Sequence, residues 1–233
     1  MQTTQRWPIG STGALWLALL LVVGHYVAMF GVGGALTALL GVHDRREIWQ
    51  ATPAAFVITG GVGLFEIGVV LWLGMRRYAR LSFREAGWRD LAQRDVPYGV
   101  LGFALLATSL VCVLATSLGV SDTLAYLADK IAHYTPQQRV FFVLMGVIAA
   151  LPEETIFRGI LQPTLQAKLG RGAGIVLTAA IFALYHVQFA FALPLLISHF
   201  VTGLVLGLLR ERTRTLWAPA IAHALVWIVL GAI

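Results

Sequence analysis

"RVFFVLMGVIAALPEETIFRGI", residues 139–160, runs apolar after Arg139 and then places two adjacent glutamates and an arginine inside the same stretch. The apolar part reads as a membrane helix. Charge at membrane depth is costly and turns toward a protein interior or a water-filled cavity. Successive helical residues differ by about 100°, so Glu153 and Glu154 point to different neighbours. Glu154 and Arg158 are four apart in the favourable order for an ion pair on one face. Glu153 is left without a local partner. It reads either as a structural carboxylate bonded to another helix or as a general base tuned by its surroundings.

The rest of the chain supports a membrane setting. Of the 233 residues 58% are hydrophobic and 12% charged, where a soluble domain has about 25% charged. A soluble surface cannot be covered at that ratio, so the expected fold class is all-α, a polytopic membrane protein. Residues 1–233 are read as a single integral domain. Apolar segments at about 13–42, 55–75, 97–119, 139–162, 174–190, 192–209 and 216–232 give a bundle of about seven to eight spans with a polar intramembrane site. Residues 121–139 read as a short amphipathic helix broken at Thr135-Pro136. The single Cys112 excludes a disulfide framework and a cysteine-built metal site.

The net charge of +6 does not point to nucleic acid, because the basic residues cluster in short loops between apolar segments. The segment 76–95 alone holds six arginines, and "RERTR" (210–214) three more. The arginine-rich side is expected to be cytoplasmic, with the N-terminus inside. The first apolar run is too long for a cleavable signal.

Polar residues in the spans are few: His25, Glu66, Glu153, Glu154, Arg158, His186, His199 and His223. Counting 1.5 Å per residue from the arginine-rich ends puts Glu153 at about 14 Å, His186 at about 18 Å and His223 at about 12 Å. Three competent side chains from three helices therefore share one layer. "FALYH" sets Phe182 on the face of His186, and "HALVW" sets Trp227 on that of His223.

These residues carry a resemblance. "EETIFRG" resembles the EExxxR motif of the CPBP intramembrane proteases, the group of the Rce1-like CAAX endopeptidases and bacteriocin-immunity relatives. "FALYH" resembles the FxxxH motif, and "RTRTLWAPAIAHALVW" the third region, which normally ends HxxxN or HxxxD. The resemblance covers about residues 139–230, with the motifs in order. It implies an endopeptidase of the Rce1-like/CPBP type, hydrolysing a peptide bond of a membrane-associated protein or peptide. It implies Glu153 as the catalytic glutamate, His186 as its helper in activating water, and His223 as the oxyanion donor. Glu154 and Arg158 become the supporting pair, with Phe182 beside His186.

The pattern departs at Trp227, where Asn or Asp is usual. Indole N–H donates but does not accept. His199 is a further candidate for rebuilding that pocket, against a plain helix-packing role; His25 and Glu66 match no motif. Family members have been described both as metalloproteases and as glutamate-type proteases. Glu153, His186 and His223 together would suit Zn²⁺, but a ligand role would remove Glu153 as base, so no cofactor is the favoured reading. The alternative function is a non-catalytic scaffold or immunity protein with Trp227 marking lost activity. A small transporter ranks last. The compact chain looks like a bacterial inner-membrane protein, with the lipid bilayer and a membrane-associated peptide as its partners.

Overall fold

The structure is a computed structural model that describes residues 81–186 and 193–230, with isolated positions before them. Every regular element among these residues is helical. The short α1 (Phe83–Ala86) precedes α2 (Asp95–Leu118), α3 (Val120–Ala132) and α4 (Pro136–Glu154). A π-helical stretch, Thr155–Leu161, joins α4 to α5 (Gln162–Leu169). α6 (Arg171–Tyr185), α7 (Leu193–Thr213) and α8 (Trp217–Leu225) follow, and a second π-helical stretch, Val226–Leu230, continues α8. The spans expected at 13–42 and 55–75, with His25 and Glu66, lie outside the described residues.

Local chemistry marks the boundaries. Thr135 caps α4 by accepting from the Gln138 N–H, and the Gln138 side chain accepts in return from Thr135 N–H. Pro136 follows at the first turn, where its missing N–H costs nothing. The residues expected to break the outer helix therefore start the next one, and the amphipathic helix ends at Ala132. Gly119 and Gly170, with φ of 84° and 83°, turn the chain between helices.

Two described helical runs are long and apolar enough to cross a membrane, Asp95–Thr116 and the 34-residue run Pro136–Leu169. Arg171–Tyr185 and Trp217–Val229 are apolar but shorter. The second long run extends past the apolar segment read at 139–162, because α5 adds two further turns without a break. α8 packs on α2 and α4, and α7 on α6 and α2. Leu101, Leu105, Val140, Val143, Leu144 and Val147 remain exposed. Such apolar outer faces fit a lipid solvent.

The core joins Phe157, Ile160, Leu161, Phe182, Tyr185 and Leu206. Small residues let the helices approach. A Cβ on Gly203 would sit 2.7 Å from the Ala179 Cα, and one on Gly146 would sit 2.8 Å from the Ala224 carbonyl oxygen. Gly203→Val is therefore expected to push α7 from α6 and to cost about 1–3 kcal/mol. Chemical unfolding in detergent measures this, and an unchanged midpoint would contradict the packing.

Candidate active site

The end of α4 carries the site. Pro152 stands inside the helix, and after Glu154 the backbone widens into the π-helical stretch Thr155–Leu161. Such stretches recur at functional sites because they re-aim side chains that a regular helix would align. All residues from Pro152 through Gln162 are buried.

The two glutamates diverge as their helical angles require. Glu154 turns to Arg158, whose Nη1 donates to Oε1 at 3.1 Å. Both side chains are fully buried. The guanidinium also donates through Nη2 to the Gly203 carbonyl at 3.3 Å and lies 4.3 Å from the centroid of the Phe182 ring. One arginine thus satisfies a carboxylate, a backbone oxygen of α7 and an aromatic face of α6.

Glu154 has a second partner. His223 Nδ1 lies 2.9 Å from the same Oε1, across 69 residues of sequence. A carboxylate accepts, so the imidazole donates from Nδ1. The reading of Glu154 as the companion of Arg158 alone is therefore incomplete: one oxygen anchors both the arginine and the α8 histidine.

Glu153 faces the other way. Its Oε2 is 3.6 Å from His186 Nε2 and 3.8 Å from His223 Nε2. His186 caps the C-terminus of α6, where its ring Nδ1 meets the Phe182 carbonyl at 2.8 Å. A carbonyl only accepts, so Nδ1 carries a proton and Nε2 faces Glu153. The ring is held on its sides by Phe182 and Tyr185, at centroid distances of 4.4 and 5.0 Å. All three members of the trio are buried.

The structure thus brings together Glu153, His186 and His223, with Glu154, Arg158 and Phe182 around them. His199 joins this group by a contact that sequence spacing does not reveal. Its ring stacks on His186 at 4.6 Å, tilted by 22°. Trp227 lies in the second π-helical stretch and packs with Tyr134 on the cluster of Phe141, Phe142, Met145 and Ala149. A further contact without a sequence signal ties the loop before α2 to the site helix: Trp88 Nε1 donates to the Thr155 hydroxyl at 2.8 Å. Among the described residues no group of three His, Cys, Asp or Glu side chains is spaced to hold a metal ion.

A buried glutamate between two imidazoles in an all-helical core is an arrangement capable of acid–base chemistry. Residues 135–229 match the family model described as type II CAAX prenyl endopeptidase Rce1-like. All three motifs fall inside that match, and this region of the chain is similar to the Rce1-like endopeptidases. No curated protein and no solved structure matches the chain.

The buried fork at Glu154 generates a stability prediction. Glu154→Ala leaves the Arg158 charge uncompensated and is expected to cost about 3–5 kcal/mol. The double variant Glu154→Leu/Arg158→Met removes both charges and should lose less than the single variant. Unfolding in detergent compares them, and a silent Glu154→Ala would remove the fork from the list of supports.

Proposed function

We propose that the chain is an intramembrane endopeptidase that hydrolyses a peptide bond of a membrane-associated protein or peptide, using water activated by Glu153 and His186. The observation that carries this reading is the buried approach of Glu153 Oε2 to His186 Nε2 at 3.6 Å, with His223 Nε2 at 3.8 Å. The family match supports proteolysis as the class of activity.

The chemistry follows from the proton positions. With Nδ1–H committed to the Phe182 carbonyl, Nε2 is the His186 nitrogen that accepts one hydrogen of a water molecule. Glu153 takes the other proton as that water's oxygen bonds to the scissile carbonyl carbon. His223, held through Nδ1 by Glu154, has Nε2 aimed at the same space. Its ring sits between two carboxylates and is the donor to the developing oxyanion. The C–N bond then breaks, and the proton on Glu153 passes to the leaving amine.

Glu153 works here as the base, so no metal enters the sequence of steps. The membrane setting in this reading is a bacterial inner membrane. The bundle crosses it seven or eight times with the N-terminus on the arginine-rich, cytoplasmic side. Trp227 extends an aromatic packing cluster in the place where the family pattern has Asn or Asp. The oxyanion donor is therefore His223 alone among the motif residues.

Glu153→Gln and His186→Ala are each expected to reduce cleavage at least about 1,000-fold, and His223→Ala about 100–1,000-fold. Glu153→Gln and His186→Ala should retain the wild-type melting temperature within about 2–4 °C. The assay is cleavage by purified protein in nanodiscs of membrane peptides first identified as substrates by comparing wild-type and Glu153→Ala cells. Normal cleavage by Glu153→Gln and His186→Ala would overturn the assignment. Turnover should also survive exhaustive chelation; loss that only added Zn²⁺ restores would show a metal-dependent site.

A further inference from the structure

The residues on either side of Trp88 are bonded to the start of α8. Leu216 N–H donates to the Gly87 carbonyl at 2.9 Å, and Trp217 Nε1 donates to the Arg89 carbonyl at 2.6 Å. The Trp88 and Trp217 rings meet edge to face, with centroids 4.9 Å apart. The Trp88 indole also gives its N–H to the Thr155 hydroxyl at 2.8 Å. One side chain therefore touches both the helix that carries His223 and the stretch that follows Glu153 and Glu154.

Both ends of this bridge are fixed. α1 opens with a reciprocal cap, in which Ser82 N–H donates to Glu85 Oε2 at 2.7 Å and Glu85 N–H to Ser82 Oγ at 3.3 Å. Gly87, with a φ of 121°, ends it, and Trp88 N–H returns to the Phe83 carbonyl at 2.9 Å. The unit is seated on the π-helical stretch, where a Cβ on Gly159 would lie 2.9 Å from the Ala86 carbonyl oxygen. At the other end Thr155 is buried, and its hydroxyl donates to the Leu151 carbonyl at 2.6 Å while accepting from the indole.

The turn from Leu151 to Thr155 holds both glutamates and is short of bonds of its own. Pro152 has no N–H to offer the preceding turn, and after Glu154 the backbone leaves regular α-helical pairing. A contact from outside the helix, at Thr155, fixes what its own ladder leaves loose. Across the bridge, His223 lies about 9 Å along α8 from Trp217. The wedge of Trp88 between Thr155 and Trp217 sets how far α8 stands along the site helix. On that register depend the 2.9 Å contact of His223 with Glu154 and its 3.8 Å approach to Glu153. An indole serving only as an interfacial anchor turns its N–H to headgroups or water. This one is half-buried and gives its N–H to a buried hydroxyl.

We propose that Trp88 is a positioning residue for the candidate active site, acting through Thr155 and Trp217 to hold His223 in register with the two glutamates. Its effect on turnover rests on the hydrolytic reading of Glu153; its effect on the geometry does not. Trp88 lies outside the matched residues 135–229, so the frame of the site extends beyond the region that carries its motifs.

The full chain, with nitrogen-15 histidine, is compared in nanodiscs as wild type, Trp88→Phe, Thr155→Val and the double variant. The imidazole Nδ1–H signals are read by NMR, and kcat, KM and melting temperature are measured beside them. The His223 signal, identified by its loss in His223→Ala, is expected to shift or broaden in both single variants. The His186 signal, bonded within α6 to the Phe182 carbonyl, should stay in place. Each single variant should lose about 10–100-fold in kcat, with KM within about 2-fold of wild type. The double variant should lose no more than the more affected single one, because both changes remove the same bond. Arg84→Gln, on α1 but turned to Asp90, should alter neither signal nor rate. An unmoved His223 signal, an equal movement of the His186 signal, or the same change in Arg84→Gln would overturn the positioning role. A lower melting temperature with wild-type kcat would mark packing alone and overturn it too. A wild type that cleaves nothing, with the His223 signal displaced in both single variants, would sink the hydrolytic reading and leave the register role standing.

Discussion

A single carboxylate oxygen, Oε1 of Glu154, receives Arg158 from its own helix and His223 from α8, inside the protein. Arg158 carries the link onward to the Gly203 carbonyl of α7 and to the Phe182 ring of α6. Four helical elements thus meet through one buried ionic fork. Both charged side chains are fully buried, so removing one partner leaves the other charge uncompensated. The fork also decides chemistry. By accepting from His223 Nδ1 it turns Nε2 toward Glu153, so the structural glutamate sets the face that the other glutamate uses.

The backbone around the fork is specialised in the same sense. A regular helix aligns residues four apart; the π-helical stretch after Glu154 inserts extra width where Arg158 must reach both Glu154 and α7. The second such stretch follows His223 and carries Trp227 to the aromatic cluster of α4. Close approach of helices at Gly146 and Gly203 makes these reaches short enough for hydrogen bonds. Trp88, from outside the bundle, then holds the first turn of the widened stretch through Thr155. The site is therefore built by packing distances and not by the motif residues alone.

Much of this was legible in the sequence for reasons that can be stated. Glu154 and Arg158 are one helical turn apart, and local geometry makes such pairs readable. The shared layer of Glu153, His186 and His223 followed from counting rise along three apolar segments of similar depth. The all-helical class followed from composition. The parts that escaped depend on contacts between distant segments. The bond from His223 to Glu154, the stack of His199 on His186 and the anchor from Trp88 to Thr155 have no periodic signature. Nor do the π-helical stretches, since one inserted residue leaves the apolar pattern nearly intact. Trp227 is the instructive case. Its spacing from His223 matched the motif, while its large apolar ring was the feature that governed its place.

Hydrolysis by a water activated at Glu153 is the central claim, and isotope labelling tests it most directly. Purified wild-type and Glu153→Gln proteins in nanodiscs are incubated with membrane-protein extract in water enriched in oxygen-18, and newly formed C-termini are read by mass spectrometry. The account predicts new C-terminal carboxylates carrying a single labelled oxygen with the wild type and none above background with Glu153→Gln. The same labelled termini from both proteins, or no labelled termini from the wild type, would contradict it.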